Sequence, residues 1–459
     1  MKTQEILDPE QWAEATFGQA QLKDMRRTRR AVTTAVHMAE DPAASLPAQA
    51  QTWKDAKAMY RLLDEPDVTF DALMQSHWQQ TRQRMDTLPL VLLVQDTTDL
   101  DLSHRRKMSG LGEIGNGNGH GMYLQTVLAV KPDSQQALGC AYQRPFIRIP
   151  APKGETRAQR CKREKETDIW YQCVQHIGPS PASSVRVQVA DRGADIFEFL
   201  HVCQSIDTQF VARATQDRRV QTQGGTLGYL FEQVRSQPSS DVRPFDLPAR
   251  HGHQARCTLL YVSGTALELL PPRNDSRLNK RASLACLGHS GMGRRDPEGE
   301  ESLEWILLTS LVGTTCEQAW QRVEWYRARW RVEDYHHCLK TGCRIEERQV
   351  QSAERLISLL GILSPLAVRL LQVRDLSRQA PESPAHEVIE PETLTLLAAH
   401  VGLSPSTMTV ETFWTEVARM GGYLARRNDG PPGWKPLWKG WLHLQALLEG
   451  AQLAFHLCL

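Results

Sequence analysis

Residues 89–98 read PLVLLVQDTT, and this short run says more about the fold than any other part of the chain. Five consecutive apolar residues, Leu90 to Val94, suit one strand that is buried on both faces. Asp96 is the first acid after the apolar run. The pattern therefore predicts a central strand that ends where the Asp96 carboxylate emerges at the edge of a sheet.

Other apolar and β-branched runs extend this pattern along the chain. Turn residues at 132–134 separate two of them, so the first three strands are expected to form an antiparallel meander. Later strands alternate with helical segments, as in a mixed α/β fold. Strands are predicted at 90–94, 123–130, 138–147, 185–189, 210–213 and 305–309, and helices at 156–175, 196–203 and 316–341.

Composition divides the rest of the chain into segments. Residues 8–85 have no β-branched run and predict amphipathic helices, including 53–63 and 70–85. Residues 216–303 are rich in Gly, Pro, Ser and Arg with alternating apolar residues, which is typical of short strands and loops. Three prolines mark a linker at 376–391, and a tryptophan-bearing helical segment follows at 392–459.

A second informative stretch carries polar residues at helical spacing. Tyr326, Arg329, Glu333, His337 and Lys340 are separated by three or four residues and would share one face of a helix. Carboxylates bind divalent metals, and Arg and Lys bind phosphate oxygens. Taken alone, the run suits a solvated helix of alternating charge equally well.

Three acids complete the candidate site. Asp191 follows the apolar run 185–189 as Asp96 follows 90–94, and Glu333 lies on the later helix. Converging carboxylates repel one another unless divalent cations lie between them, and two such ions about 4 Å apart can catalyse phosphodiester chemistry. The alternatives left open are the neighbouring acids Asp99, Asp101 and Asp195, and turn or helix-cap roles for Asp96 and Asp191.

These blocks occur in the order of a known enzyme family. The signature blocks of the insertion-sequence-four (IS-four) family of DDE transposases, of the transposon-five type, are similar to residues 95–98 (QDTT), 191–195 (DRGAD) and 326–340. In the last block the spacing Tyr-x2-Arg-x3-Glu-x6-Lys resembles the YREK signature of that family. The resemblance covers most of the chain, although His337 stands where the best-known relative carries Lys.

The resemblance implies an α/β fold with three domains. These are a helical N-terminal DNA-binding domain (1–70), an RNase H-like, retroviral integrase-like catalytic core (71–375) with a β-rich insertion at 216–303, and, after the linker, a helical C-terminal dimerisation domain (392–459). The implied activity is cut-and-paste DNA transposition. The implied partners are the inverted-repeat ends of a transposon, target DNA and a second copy of the chain.

The resemblance also assigns roles to residues. Asp96, Asp191 and Glu333 would be catalytic and would bind two Mg²⁺ ions, for which Mn²⁺ would substitute. Trp305 would stack on a base flipped out of a DNA hairpin, and Arg26, Arg27 and Arg30 would bind the transposon end. The remaining DNA contacts would come from Arg192, Tyr326, Arg329, His337 and Lys340.

Bulk properties limit the classes of function. Lys and Arg (54) nearly balance Asp and Glu (53), so DNA binding would depend on local basic patches. Ten cysteines without a CxxC pair indicate reduced thiols in the cytoplasm, and the resemblance implies a bacterial protein that associates with the nucleoid when DNA is bound. No apolar stretch approaches the roughly 18 residues of a membrane span, so no membrane partner is expected.

A zinc site is not expected, and two functions other than transposition remain as alternatives. Two Cys/His groups lack the paired half-site of a zinc motif, and no zinc is expected; they are His336, His337, Cys338 and Cys343, and His251, His253 and Cys257. One alternative function is an RNase H-like nuclease or Holliday-junction enzyme without strand transfer. The other is an inactive DNA-binding repressor derived from a transposase.

Overall fold

The N-terminal part of the chain is a cluster of helices. The computed structural model describes residues 8–50, 52–247, 256–272, 284–294, 303–313, 315–426 and 429–457. Most of the longer N-terminal helices begin at an Asp or Thr whose side chain accepts a hydrogen bond from the first turn. The helices are α1 (Pro9–Phe17), α2 (Met25–Glu40), α3 (Leu46–Gln49), α4 (Trp53–Leu63) and α5 (Phe70–Asp86).

A mixed sheet follows. Its strands are β1 (Leu90–Asp101), β2 (Gly112–Ile114), β3 (Gly119–Val130), β4 (Ala137–Phe146), β5 (Val185–Ala190) and β6 (Gln209–Arg213). β1, β3 and β4 form the predicted antiparallel meander, whereas β5 runs parallel to β1 and β6 runs parallel to β5. The spatial order is β4–β3–β1–β5–β6, which places β1 at the centre.

β1 is longer than the sequence indicates. The prediction that this strand ends at Asp96 is wrong, because pairing with β3 continues from Asp96 opposite Thr126 to Asp101 opposite Gly121. The β-branched Thr97 and Thr98 suit such a continued strand. Pairing with β5, in contrast, stops at Gln95 opposite Ala190, so Asp96 lies just past the end of the parallel partner.

Helices cover both faces of the sheet. The short helix α6 (Arg157–Lys162) precedes two longer helices, α7 (Ile169–Ile177) and α8 (Phe197–Ser205). On one face of the sheet, Val91 and Leu93 of β1 share a buried core with residues of α7 and α8. Leu92 and Val94 point to the opposite face, where the core includes the long C-terminal helices. The predicted helix over 156–175 is instead broken, because Asp168 accepts a hydrogen bond from the Lys165 amide and starts a new turn.

The strands of the predicted β-rich insertion continue the central sheet. They are β7 (Arg219–Thr222), β8 (Leu227–Tyr229), β9 (Asp241–Leu247), β10 (Arg256–Leu269) and β11 (Leu284–Arg294), with one helix, α9 (Leu230–Arg235), between β8 and β9. β12 (Glu304–Thr309) returns the chain to the core by pairing with both β11 and β6. The insertion therefore joins the core edge to edge.

The remaining helices are α10 (Cys316–Arg327), α11 (Trp330–His337), α12 (Ala353–Arg378), α13 (Pro391–Val401), α14 (Val410–Met420) and α15 (Trp434–Leu457). The predicted helix 316–341 is divided at Ala328 and ends in a π-helical turn, Cys338–Gly342. Gly342 lies inside that turn and does not cap the helix, and Arg344 takes the left-handed conformation.

The tryptophans of the C-terminal segment pack within this chain. Trp414, Trp434, Trp438 and Trp441 are all buried. The Trp438 indole donates a hydrogen bond to the Ala39 carbonyl in α2, at 3.2 Å. These four tryptophans therefore contribute to the core of this chain, and the expected dimerisation role of 392–459 stays a prediction.

The expectation that no apolar stretch approaches the length of a membrane span is wrong, because one helix in the described part of the chain, α12, is long and apolar enough to cross a membrane. In the fold, 89% of its apolar window is buried inside the protein. Core packing therefore accounts for its composition.

Candidate active site

The first two predicted acids lie side by side. β1 and β5 are parallel neighbours, and their last paired residues, Gln95 and Ala190, directly precede Asp96 and Asp191. Neighbouring strands are about 4.8 Å apart, so the two carboxylates leave adjacent backbones at one place. Burial and the negative charge of Asp191 raise the pKa of Asp96 to about 7, although the Arg329 charge opposes the shift.

Local hydrogen bonds fix both carboxylates. Asp96 Oδ1 accepts from the Thr97 amide at 2.8 Å, and Asp191 Oδ1 accepts from the Gly193 amide at 2.7 Å. A Cβ on Gly193 would lie 3.0 Å from the Trp170 ring and 3.1 Å from Asp191 Oδ1, so a larger residue would crowd the carboxylate. The turn-capping alternative for Asp191 is thus present, and it leaves the second carboxylate oxygen for another ligand.

Glu333 reaches this pair through an arginine. Arg329 Nη2 lies 2.8 Å from Glu333 Oε1, and Arg329 Nη1 lies 3.2 Å from Asp96 Oδ2. One guanidinium therefore bridges the strand acid and the helix acid. Arg329 was predicted to contact phosphate, and in this structure it binds two of the three acids instead.

The three acids do not form one close group. Within the residues that the structure describes, no three His, Cys, Asp or Glu side chains are grouped closely enough to hold one metal ion. Asp96 and Asp191 form one pair, and Asp96 and Glu333 form another that is bridged by a cation. Mg²⁺ commonly uses one or two carboxylates and completes its shell with water and phosphate oxygens. Donor chemistry and pairing therefore suit ions that are shared between two acids each.

The alternative acids have other partners. Asp99 binds Lys340 Nζ at 3.1 Å, and Asp101 accepts hydrogen bonds from the residue two positions on. Asp195 is fully buried, pairs with Arg218 at 2.8 Å and accepts two backbone amides. None of these contacts involves Asp96 or Asp191, and they indicate a structural role for Asp195.

The first Cys/His group lies largely in the core. His336 is buried and its Nε2 lies 3.0 Å from Thr126 Oγ1, while Cys338 and Cys343 are buried. In the second group, His251 and His253 lie outside the described residues.

Trp305 is part of the core. Its side chain is 5% exposed and its ring contacts Tyr326 and Phe245 edge-on, with centroids 5.1 and 5.6 Å apart. The Tyr326 side chain is buried as well, and this burial raises the pKa of its phenol. Neither ring offers an open stacking face in this conformation, so base stacking by Trp305 would require the ring to move.

The other predicted DNA contacts are dispersed around the site. Lys340 pairs with Asp99 and with Glu346, at 3.1 and 3.4 Å. His337 Nδ1 accepts from the Trp434 indole at 3.4 Å, which joins α11 to the C-terminal helix α15. The break at Ala328 and the π-helical turn change the rotation between Tyr326 and Lys340, so the predicted single helical face is not continuous. Arg192 is exposed directly beside Asp191.

A buried polar layer beneath the acids escaped the sequence analysis. Thr126 lies opposite Asp96 on β3, and the side chains of Gln143 and His336 lie 3.0 Å from its hydroxyl. Gln143 also donates to the Tyr335 hydroxyl at 2.9 Å. These bonds attach α11, and hence Glu333, to the sheet. The available signal was a pair of adjacent polar residues inside each of the apolar runs 123–130 and 138–147, at 125–126 and 143–144.

The predicted DNA-end arginines lie on α2 and are paired with acids. Arg26 is the most open, with a side chain 89% exposed, and its partner Asp24 also caps the helix. The ion pairs are Arg26–Asp24, Arg27–Glu65, Arg27–Asp67 and Arg30–Asp55. If these arginines bind DNA, each would contact a phosphate of the DNA in place of its present carboxylate partner.

The N-terminal helices are similar to a known type of domain. Residues 9–68 match the protein family described as transposase DNA-binding. The matched segment spans α1 to α4, contains the three predicted arginines and ends before β1. The match supports a transposase, and it supports DNA as the partner.

Proposed function

We propose that this chain is a DDE transposase of the IS-four family, which cuts and joins DNA by metal-dependent phosphoryl transfer at Asp96, Asp191 and Glu333. The observation that carries the proposal is the adjacency of Asp96 and Asp191 at the end of the β1–β5 pairing. The strand order β4–β3–β1–β5–β6, with three antiparallel strands and two parallel ones, supports an RNase H-like core.

The acids would hold two Mg²⁺ ions, or Mn²⁺ in their place. Asp96 would be shared, with Asp191 as its partner for one ion and Glu333 for the other. When bound, the ions would activate the attacking oxygen and stabilise the leaving oxygen of the phosphodiester. The protein supplies acids on a rigid central strand, a helix attached by the Thr126 layer, and a neighbouring arginine and lysine.

The reactions proposed are those of the family that the chain resembles. Water attacks at the transposon end and frees a 3′-hydroxyl, which attacks the opposite strand and forms a hairpin. Water opens the hairpin, and the 3′-hydroxyl then attacks target DNA. Arg329, Lys340 and the exposed Arg192 would bind phosphate oxygens during these steps, which requires the first two to release their carboxylate partners.

Recognition of the transposon end would belong to α2, through Arg26, Arg27 and Arg30. Phosphate contacts would position the helix, and contacts to base edges would select the sequence. Two chains would pair two ends, and the C-terminal helices are the proposed contact between them.

A nuclease without strand transfer is the second candidate. The buried position of Trp305 favours it, because hydrolysis of one strand needs no stacking platform for a flipped base. The acids and their ions would act in the same way in both enzymes. Only the fate of the 3′-hydroxyl separates the two functions.

The deciding experiment tests whether the 3′-hydroxyl becomes joined to another DNA strand. The DNA that flanks the gene supplies candidate inverted repeats, and end-labelled duplexes carrying them are incubated with the protein, Mg²⁺ and a supercoiled target. We expect nicks, hairpins and joined products, all of which disappear with Asp96→Asn. Nicks without hairpins or joined products would identify the nuclease, and the absence of any cleavage would overturn the proposal.

A further inference from the structure

One arginine occupies the position where the proposed ions would act. Arg329 precedes α11, and its guanidinium contacts Asp96 Oδ2 and Glu333 Oε1 at 3.2 and 2.8 Å. Its side chain is largely buried and its Cζ lies 4.7 Å from the Trp330 ring centroid. The guanidinium is therefore held by two carboxylates and an aromatic face.

This bridge has an electrostatic consequence. The guanidinium takes one oxygen from each acid of the Asp96–Glu333 pair and partly neutralises both. A divalent ion between the two acids competes with the guanidinium for these oxygens and is repelled by its positive charge. Binding of an ion between Asp96 and Glu333 would therefore require Arg329 to withdraw.

A DNA phosphate gives Arg329 an alternative partner. Guanidinium binds phosphate in the same two-pronged way as carboxylate, so the side chain can exchange one for the other. The Glu333 side chain is 41% exposed, so the bridge is open to solvent on the helix side. The long arginine side chain can turn outward by rotation about its own bonds, and α11 stays attached to the sheet through His336.

We propose that Arg329 is a latch that couples metal binding to DNA binding. Without DNA, the Arg329 guanidinium blocks metal binding between Asp96 and Glu333. A DNA phosphate binds Arg329 in place of the two carboxylates, which are then available to an ion. Linkage then makes each ligand strengthen binding of the other. This inference rests on the proposed function, because it assumes that both acids bind metal ions during catalysis.

The test measures Mn²⁺ binding directly, by electron paramagnetic resonance of the free ion, with no reaction required. Wild type, Arg329→Gln and Arg329→Lys are titrated with and without a short unlabelled duplex. Arg327→Gln is the matched control, since Arg327 is an exposed arginine two residues away that pairs with Glu324. A thermal melt establishes that each variant is folded.

We expect Arg329→Gln to bind Mn²⁺ about tenfold more tightly than wild type without DNA, within the usual range of coupling between sites. DNA should strengthen Mn²⁺ binding by wild type more than by this variant. Arg329→Lys keeps the charge but cannot bridge two acids, and its Mn²⁺ affinity should fall between the other two. Arg327→Gln should behave as wild type.

Several results would overturn the latch. Equal Mn²⁺ affinity of wild type and Arg329→Gln without DNA would show that the bridge does not oppose metal binding. Equal affinity of wild type and Arg329→Lys would show that charge acts without the bridge. If no variant binds Mn²⁺ with or without DNA, both the proposed function and the latch are wrong. If Asp96→Asn abolishes Mn²⁺ binding but substitution of Arg329 does not change it, only the latch is wrong.

Discussion

The Arg369 guanidinium lies over the Trp438 ring, with 4.3 Å between Cζ and the ring centroid, and over the Trp12 ring at 5.0 Å. Arg369 is fully buried in α12, and the two indoles come from α15 and α1. A single side chain thus joins the N-terminal, central and C-terminal parts of the chain. Burial lowers the pKa of Arg369 to about 9, although the negative charge of Asp8 opposes the shift.

Loss of this contact should destabilise the whole chain. Trp438→Ala removes a buried indole and its hydrogen bond to Ala39, and we expect a loss of about 3–5 kcal/mol in the free energy of unfolding. Urea unfolding followed by tryptophan fluorescence measures it. Trp53→Ala is the control, because Trp53 is 69% exposed and should change stability little. Equal losses in the two variants would contradict a special role for the Arg369 contact.

Each acid of the site should be required for chemistry but not for DNA-end binding. Asp96→Asn, Asp191→Asn and Glu333→Gln keep side-chain shape while removing a metal-binding charge, so nicking and strand transfer should fall below detection. Gel shifts on transposon-end DNA should remain close to wild type, because the N-terminal helices lie elsewhere in the fold. Asp99→Asn is the control and should keep most activity. Cleavage by all three acid variants would refute the assignment.

In the metal-free protein, the contribution of Asp96 to stability should fall as the pH rises. The pKa of Asp96 is raised to about 7 in the folded chain, against about 3.9 when unfolded. Between these values the folded chain holds an extra proton, so its stability is greatest below the unfolded pKa and decreases up to the folded one. Asp96→Asn removes this cost and should be more stable than wild type by about 1–4 kcal/mol near pH 8, with little difference near pH 4.

Urea unfolding in EDTA at both pH values measures this difference, and Asp99→Asn controls for loss of a surface charge. A wild-type chain as stable as Asp96→Asn at the higher pH would contradict the raised pKa.

The arginines of α2 should contribute to end binding through phosphate contacts. Arg30→Ala should weaken binding and reduce the slope of log affinity against log salt by about 0.9 if one phosphate contact is lost. Glu65→Gln should have the opposite effect on affinity, because it frees Arg27 from an acid partner. Gel shifts over a salt series measure both. Arg235→Ala, which breaks a pair with Glu304 in the insertion, is the control; an unchanged slope in Arg30→Ala would exclude a phosphate contact.

Trp305 offers a test of the hairpin step. Trp305→Phe keeps an aromatic core residue but reduces the stacking area, so hairpin formation should slow by about tenfold while the first nick keeps its rate. A denaturing-gel time course on end-labelled DNA resolves the two steps. Trp305→Ala should in addition lose about 3–5 kcal/mol of stability, because the ring is buried. Normal hairpin kinetics in Trp305→Phe would leave Trp305 as a core residue only.

Local sequence was sufficient for most of the elements. The predicted helix 53–63 and the helix Trp53–Leu63 have the same bounds, because a Thr cap and an amphipathic pattern lie within a few residues of each other. The apolar runs 90–94 and 185–189 predicted two buried strands followed by acids, and the register of β1 on β5 places those acids together. Such elements can be predicted from the sequence because they depend mainly on residues that are close together in the chain.

Contacts between distant residues decided the rest. β1 extends to Asp101 because β3 supplies a pairing partner, and Trp305 is buried because Phe245 and Tyr326 pack on it. Arg329 lies 233 positions from Asp96, so no periodicity of the sequence could show that its guanidinium binds that acid. The sequence by itself determined which residue types stand at strand ends and on helices, since backbone propensity and side-chain alternation are local. Tertiary structure decided which of those charges meet, because an ion pair depends on a separation of a few ångströms that only the packed chain defines.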